Sequence, residues 1–360
     1  MNSARACGVA VKVAVNVAVM AAVTAASAVS PAAAAPGLAT VVGGVAGRGN
    51  GSIALGCTTF IPVPELSFYS FTGGGVPQGG IGTCGYIGGY TTQTATAAPL
   101  NQHGSLGPVL IAPPANGSQF TGTADARSSY GVLGAAAHGH MSVVPDQASL
   151  ALHHMAGAAR FADTLTASSA LVAAGSAGGV RYRFEVDGSI SAAGAQAPFF
   201  FGETYVVLDV KHGAGATEQL LNATVRRGSM GTISGNPPPA GWLTGIGSLS
   251  GGSTFYSREY SIIWGQAWDV EVGLLAWAYG SADSSFLGTA KLSGFELFDA
   301  QHAPVVSLRI NALSGTDYIN AVPEPQTWAM LLIGLVGLAG VVRRRRAGAN
   351  EGLAWPTLGG

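Results

Sequence analysis

The stretch RYRFEVDG, residues 181–188, decides the fold. Arg181, Arg183, Glu185 and Asp187 fall on one face of an extended chain, and Tyr182, Phe184 and Val186 fall on the other. A period of two is the mark of a half-buried strand, one face in water and one in a core. Asp187-Gly188 is a turn signal, so the strand is expected to end there. Working outward, TYVVLDVK (204–211), LLNATVR (220–226), YSIIW (260–264), WDVEVGLLAWAY (268–279), AKLSGFELFD (290–299) and PVVSLRI (304–310) read as further strands. Turn signals stand at Gly213–Gly215, Pro237–Gly241 and Gly251-Gly252. Short strands repeated in this way predict an all-β body at 121–320, an antiparallel sandwich of jelly-roll type.

One stretch breaks the pattern. In PDQASLALHHMAGAARFADTL, residues 145–165, the positions Leu150, His154, Ala158, Phe161 and Leu165 follow helical spacing after a Pro145-Asp146 start. Residues 35–120 are the most glycine-rich part, with Arg48 and Glu65 as their charged side chains. Short apolar strings such as Val109–Ala112 stand between turn-dense runs, so strands with long loops are expected there, not an independent core.

Composition narrows the function. Charged residues make up 10% of the 360-residue chain, and 54 residues are glycine. A nucleic-acid binder needs clustered Lys and Arg to neutralise phosphates, and this chain has no such cluster in its body. Between residues 35 and 325 there are 11 Lys or Arg against 17 Asp or Glu, a mildly acidic balance that favours solubility.

The two ends are hydrophobic in different ways. Arg5 and Lys12 precede an apolar stretch, Val13–Val29, and small residues follow up to Ala34. This is the pattern of a secretory signal peptide at 1–34, cleaved after Ala34 by signal peptidase once the general secretion machinery has exported the chain. Removal of Cys7 with the signal leaves Cys57 and Cys84. In an oxidising compartment the two suggest one disulfide, with two free thiols as the alternative. Such a bond would close a loop of about 27 residues and contribute roughly 3 kcal/mol.

Near the C-terminus, AVPEPQTWAMLLIGLVGLAGVVRRRR occupies residues 321–346. The run Trp328–Val342 has no polar face, carries an aromatic residue at one end and meets Arg343, Arg344, Arg345 and Arg346 at the other. It reads as a single transmembrane helix at 328–342, with the arginines fixing a positive-inside orientation. The triplet Pro323-Glu324-Pro325 is held extended, because both prolines have a fixed φ and each disfavours a helical residue before it.

This tripartite order resembles the PEP-CTERM sorting signal of exopolysaccharide-producing bacteria. The resemblance implies that Pro323, Glu324 and Pro325 are the recognition element of a substrate. Its partner would be an exosortase, a membrane protease-transferase that cuts near the triplet. The resemblance covers about 25 residues. Such signals usually stop soon after the arginines, whereas here AGANEGLAWPTLGG continues as a short tail, residues 347–360. More weakly, FADTLT (161–166), TAKLSGFELFD (289–299) and SGTDY (314–318) are similar to the sandwich bodies of other proteins with this signal. That likeness would make residues 160–166 a strand, against the helical spacing above, and both readings stay open here.

No residue set declares a reaction. His138-Gly139-His140 would share a strand face and His153-His154 come next, but surface or loop histidines are the expectation and no metal site is assigned. GIGTCG, residues 80–85, matches a dinucleotide-binding pattern by chance in a glycine-rich region, and no cofactor is expected. Asp269 with Glu271, and Glu185 with Asp187, could flank a glycosidic bond, yet each pair is equally a solvated strand face. Trp242, Trp264, Trp268 and Trp277, with Tyr256 and Tyr260, could form a sugar platform, with core packing favoured. The reading is therefore an exported, non-enzymatic exosortase substrate with no catalytic residues. It would be anchored briefly in the inner membrane, then delivered to the cell surface or exopolysaccharide matrix as a structural or carbohydrate-interacting protein. A surface hydrolase acting on matrix polysaccharide is the alternative.

Overall fold

The computed structural model describes residues 35–47, 60–61, 76–77, 86–110, 119–142, 153–192, 202–236 and 239–318. Strands are numbered along the chain. One sheet runs in the order β12 (Thr232–Gly235), β11 (Glu218–Arg226), β10 (Glu203–His212), β16 (Ala267–Tyr279), β8 (His153–Ser168), β1 (Gly37–Gly47) and β4 (Tyr86–Ala95). Its eighth member, β18 (Arg309–Ala312), pairs with β8 beyond the point where β1 starts. The other sheet runs β13 (Trp242–Gly245), β14 (Ser248–Tyr256), β9 (Ala177–Ala192), β17 (Ala282–Phe298), β7 (Val132–Met141), β6 (Gln119–Ser129) and β5 (Leu100–Leu110). Here β15 (Tyr260–Ile263) is the eighth strand, paired to β9. A separate two-residue pair joins β2 (Phe60–Ile61) to β3 (Val76–Pro77). All pairings are antiparallel, so the expected all-β class stands. Strands from residues 35–120 and from 121–320 share both sheets.

The sheets face each other across one core, which takes Val42, Phe161, Leu165, Val206 and Leu274 from the first sheet and Phe120, Leu133, Phe184, Ile190 and Phe286 from the second. RYRFEVDG lies in β9, at the centre of the second sheet between β14 and β17. Tyr182, Phe184 and Val186 are buried, as their alternation requires, and each contributes about 1.5–3 kcal/mol relative to exposure.

Three sequence expectations are corrected. Asp187-Gly188 is not a turn, because β9 continues to Ala192. Gly188 is there for space: a Cβ on it would sit 2.5 Å from the Phe286 ring. Gly251-Gly252 likewise lies inside β14, where a Cβ on Gly251 would meet the Gly241 carbonyl oxygen at 2.4 Å. Of PVVSLRI, Arg309 and Ile310 alone belong to a strand; Pro304 has no N–H to give a ladder, and Val306 is 88% exposed. Gly213–Gly215 does turn the chain between β10 and β11.

The ambiguous segment 153–165 is strand, within β8. Met155, Ala159, Phe161 and Leu165 point into the core, alternating with Ala156, Ala158 and Arg160 on the outer face, and β16 and β1 pair on its two sides. Small residues permit this. Gly157 faces the second sheet so closely that a Cβ would lie 2.4 Å from the Asp125 carbonyl oxygen and 2.6 Å from that of Ala136. The neighbouring Ala124, Ala126, Ala135 and Ala137 are all 0% exposed. Gly and Ala here set the spacing of the sheets.

Candidate functional site

The end of the described chain is built around one inward-facing carboxylate. Asp163 lies on β8 between Phe161 and Leu165 and is 1% exposed. Its Oδ1 accepts hydrogen bonds from the Thr164 N–H (2.8 Å) and the Ser314 N–H (3.1 Å). Its Oδ2 accepts from the Ser314 hydroxyl (2.5 Å) and the Tyr318 hydroxyl (2.7 Å). Among the described residues Asp163 makes no ion pair, so four dipoles hold it. Ser314 also accepts from the Thr316 N–H (3.2 Å), which folds SGTDY around the carboxylate.

Tyr318, 4% exposed, closes the arrangement. Its ring meets Phe161 at 6.4 Å and Phe295 at 5.9 Å and covers Gly131. Burial, then the Asp163 charge, push its phenol pKa up, so it stays a donor. Thus FADTLT and SGTDY, far apart in sequence, meet in one clamp. Pro323 lies five residues after Tyr318, within about 17 Å even with the chain fully extended.

Just beyond the clamp the chain carries a known sorting element. Residues 321–346 are a PEP-CTERM protein-sorting motif. No curated protein matches the chain. The match bears out the resemblance and extends over the sorting segment alone. The PEP-CTERM motif is the mark of an exported protein sorted by exosortase towards the cell surface. Pro323, Glu324, Pro325 and Arg343 to Arg346 lie within it. These residues are outside the described ones, as are the expected transmembrane helix at 328–342, the expected signal peptide at 1–34, Cys57, Cys84 and Gly80–Gly85. No helix among the described residues is long and apolar enough to cross a membrane.

His138 and His140 share the outer face of β7, as the sequence predicts. The His138 Nδ1 hydrogen-bonds Asp283 at 3.1 Å, and on the same sheet His103 Nδ1 meets Asp125 at 2.8 Å. The bond to Asp283 raises the His138 pKa, against a smaller opposing effect of burial. Thr121, Thr123, His138, His140 and Asp283 line an open groove of about 500 Å³. Among the described residues no three His, Cys, Asp or Glu side chains are grouped to hold a metal ion.

The acidic pairs are engaged or scattered. Glu271 forms ion pairs with Arg160 and with Lys211, the latter at 3.8 Å, and Asp269 accepts a hydrogen bond from the Thr164 hydroxyl at 2.7 Å. Glu185 and Asp187 stand exposed on the outer face of the second sheet beside Lys291. Trp242, Trp264, Trp268 and Trp277 are each at most 8% exposed. The Trp268 indole N–H donates to the Tyr182 hydroxyl (3.0 Å), and that of Trp264 to the Phe298 carbonyl (3.3 Å). They are packing residues, not an open platform.

His153 and His154 are not surface histidines; both are buried on β8 and diverge, His153 towards Phe120 and His154 towards Trp277. The His154 ring stacks on Trp277 at 4.0 Å, its Nε2 shares a hydrogen bond with the Tyr90 hydroxyl, and Tyr205 stacks on Trp277 at 5.8 Å. Burial, then the neighbouring His153, lower the His154 pKa to about 3. An unfolded histidine titrates near 6.5, so the unfolded chain binds the proton first. Stability from this group is complete above about pH 6.5 and is lost as pH falls towards 3. We expect a loss of about 2 kcal/mol between pH 7 and pH 5. Urea unfolding at the two pH values, for the parent and for His154→Gln, checks it; an equal pH dependence in both would refute the assignment to His154.

Proposed function

We propose that this is a non-enzymatic surface protein. In this reading the helix at 328–342 holds it briefly in the inner membrane, an exosortase cuts near Pro323-Glu324-Pro325, and the body passes to the cell surface or exopolysaccharide matrix. The PEP-CTERM motif at 321–346 carries the proposal, starting three residues after the buried Tyr318. A structural role is supported by the state of the candidate chemistry. Glu271 is occupied by two cations, Asp269 by a hydroxyl, and the tryptophans by the core. Contact with matrix polysaccharide would then fall to the polar outer face of the second sheet, where Ser105, Thr123, His138, Asp283, Ser191 and Ser248 stand in register.

The deciding experiment is the intact mass of the protein from a host with the sorting enzyme, with its C-terminal peptide sequenced. The expected chain begins at Ala35 and ends near Pro323–Pro325. Pro323→Ala with Glu324→Ala should leave it uncleaved at the C-terminus. A parent chain running through to Gly360 would overturn the sorting step. Turnover of a matrix polysaccharide that disappears in Asp269→Asn or Glu271→Gln would overturn the non-enzymatic role.

A further inference from the structure

Exposed large apolar side chains gather at the two ends of the sandwich. At one end Met230, Leu243 and Ile246 are 54%, 77% and 75% exposed. Gly247 beside them accepts the N–H of Ala192, the last residue of β9. At the other end, where β9 begins and the described chain ends, Leu171, Val306 and Leu313 are 70%, 88% and 61% exposed. These three lie along two chain segments that run side by side. The Leu313 N–H donates to the Thr164 carbonyl at 2.8 Å, β18 pairs with residues 165–168, and the Ser169 hydroxyl donates to the Ser307 carbonyl at 2.5 Å. The strip is therefore tied to the end of β8 by hydrogen bonds along its length. Arg309 stands exposed between Val306 and Leu313, and Asp317 is exposed past the turn that follows β18.

Isolated apolar residues on a surface need no explanation, but this strip sits where the tether ends. Asp163 and its four donors fix the chain through Tyr318. Ten residues later comes Trp328, at the head of the apolar run, so the body is never more than about 35 Å from that residue. A tether this short confines the strip to a thin layer above the bilayer, at an effective concentration where a contact too weak to form from solution is populated. The other apolar end is the length of a strand further away.

We propose that, while the chain is still attached to its C-terminal helix, Leu171, Val306 and Leu313 rest on the lipid surface. The body then meets the sorting machinery with its clamped end down. This rests on the membrane-anchor reading above. It names a docking face of the body, which that reading leaves open.

The test uses the full chain, reconstituted in vesicles of phosphatidylethanolamine and phosphatidylglycerol without the sorting enzyme. Photo-crosslinking benzoylphenylalanine replaces, one at a time, Leu171, Val306, Leu313, Leu243, Ile246 and Trp328. The first five are exposed side chains, so the body should tolerate them. Lipid adducts are read by mass spectrometry after illumination. We expect strong adducts at 328 and several-fold more at 171, 306 and 313 than at 243 and 246. Adducts at 328, with 171, 306 and 313 no higher than 243 and 246, would overturn the docking face and leave the anchor standing. Absence of lipid adducts at 328 would overturn the anchor, and the docking face with it. Adducts between two copies of the chain at 171, 306 and 313, in place of lipid, would mark the strip as a self-association surface and also overturn the proposal.

Discussion

Asp163→Ala is expected to destabilise the chain by about 3–5 kcal/mol, because it strands several buried donors at once and each such group costs of order 1–3 kcal/mol. The carboxylate gathers four donors, from Thr164, Ser314 (twice) and Tyr318. Removing it leaves those donors facing an apolar gap between Phe161 and Leu165, and an unpaired buried polar group costs about 1–3 kcal/mol. Tyr318→Phe removes one donor and keeps the ring on Phe161 and Phe295, so about 1 kcal/mol is expected. Asp163→Asn keeps the shape but turns an amide N–H₂ towards donors, and should fall between the two. Urea unfolding of the three variants gives the order. The loss should also be local: residues 309–318 should become cleavable at Arg309 under native conditions, while β8 stays protected. If Asp163→Ala cost no more than Tyr318→Phe, the clamp would be an incidental contact and not the closure of the body.

The clamp is hard to read from sequence for a physical reason. The alternation in RYRFEVDG is unmistakable because its two faces differ in polarity, and that stretch located the central strand of one sheet. In HHMAGAARFADTLT both faces are apolar or small, because Ala156, Ala158, Leu275 and Trp277 form a second buried cluster on the outer face. With no polar face the period of two disappears, and helical spacing emerges by accident at Leu150, His154, Ala158, Phe161 and Leu165. Tertiary pairing with β1 and β16 settles the matter, and that is non-local information. Once the strand is known, Asp163 stands out as a carboxylate in phase with Phe161 and Leu165. A buried carboxylate demands partners, but nothing local says that they come from 314–318. The sorting motif posed the opposite case. Its recognition depends on the order of triplet, apolar run and arginines along the chain, so it needs no fold to be legible. Glycine was read too simply. Gly188 and Gly251 look like turn residues, yet both are chosen because another part of the molecule occupies the space of a Cβ.

A large steric effect should come from the same cause, at Gly157, where the close approach is between the two facing sheets. A methyl group there would sit 2.4 Å from the Asp125 carbonyl oxygen and 2.6 Å from that of Ala136. Both are backbone atoms of the facing sheet, on β6 and β7, and neither can swing aside as a side chain would. Relief requires the two sheets to separate, which would open gaps around Ala124, Ala126, Ala135 and Ala137. Gly157→Ala should therefore cost about 3 kcal/mol, the upper part of the usual range for overpacking, and Gly157→Leu should prevent folding. Gly107 is the matched control: it also lies in a strand, β5, but a Cβ there meets nothing within 4 Å. Gly107→Ala should change stability by no more than about 0.5 kcal/mol. Thermal unfolding of the three variants separates close approach from strand propensity, because propensity would favour alanine at both positions. Equal midpoints for Gly157→Ala and Gly107→Ala would mean that the sheets can part at no cost, and that glycine and alanine do not set their spacing.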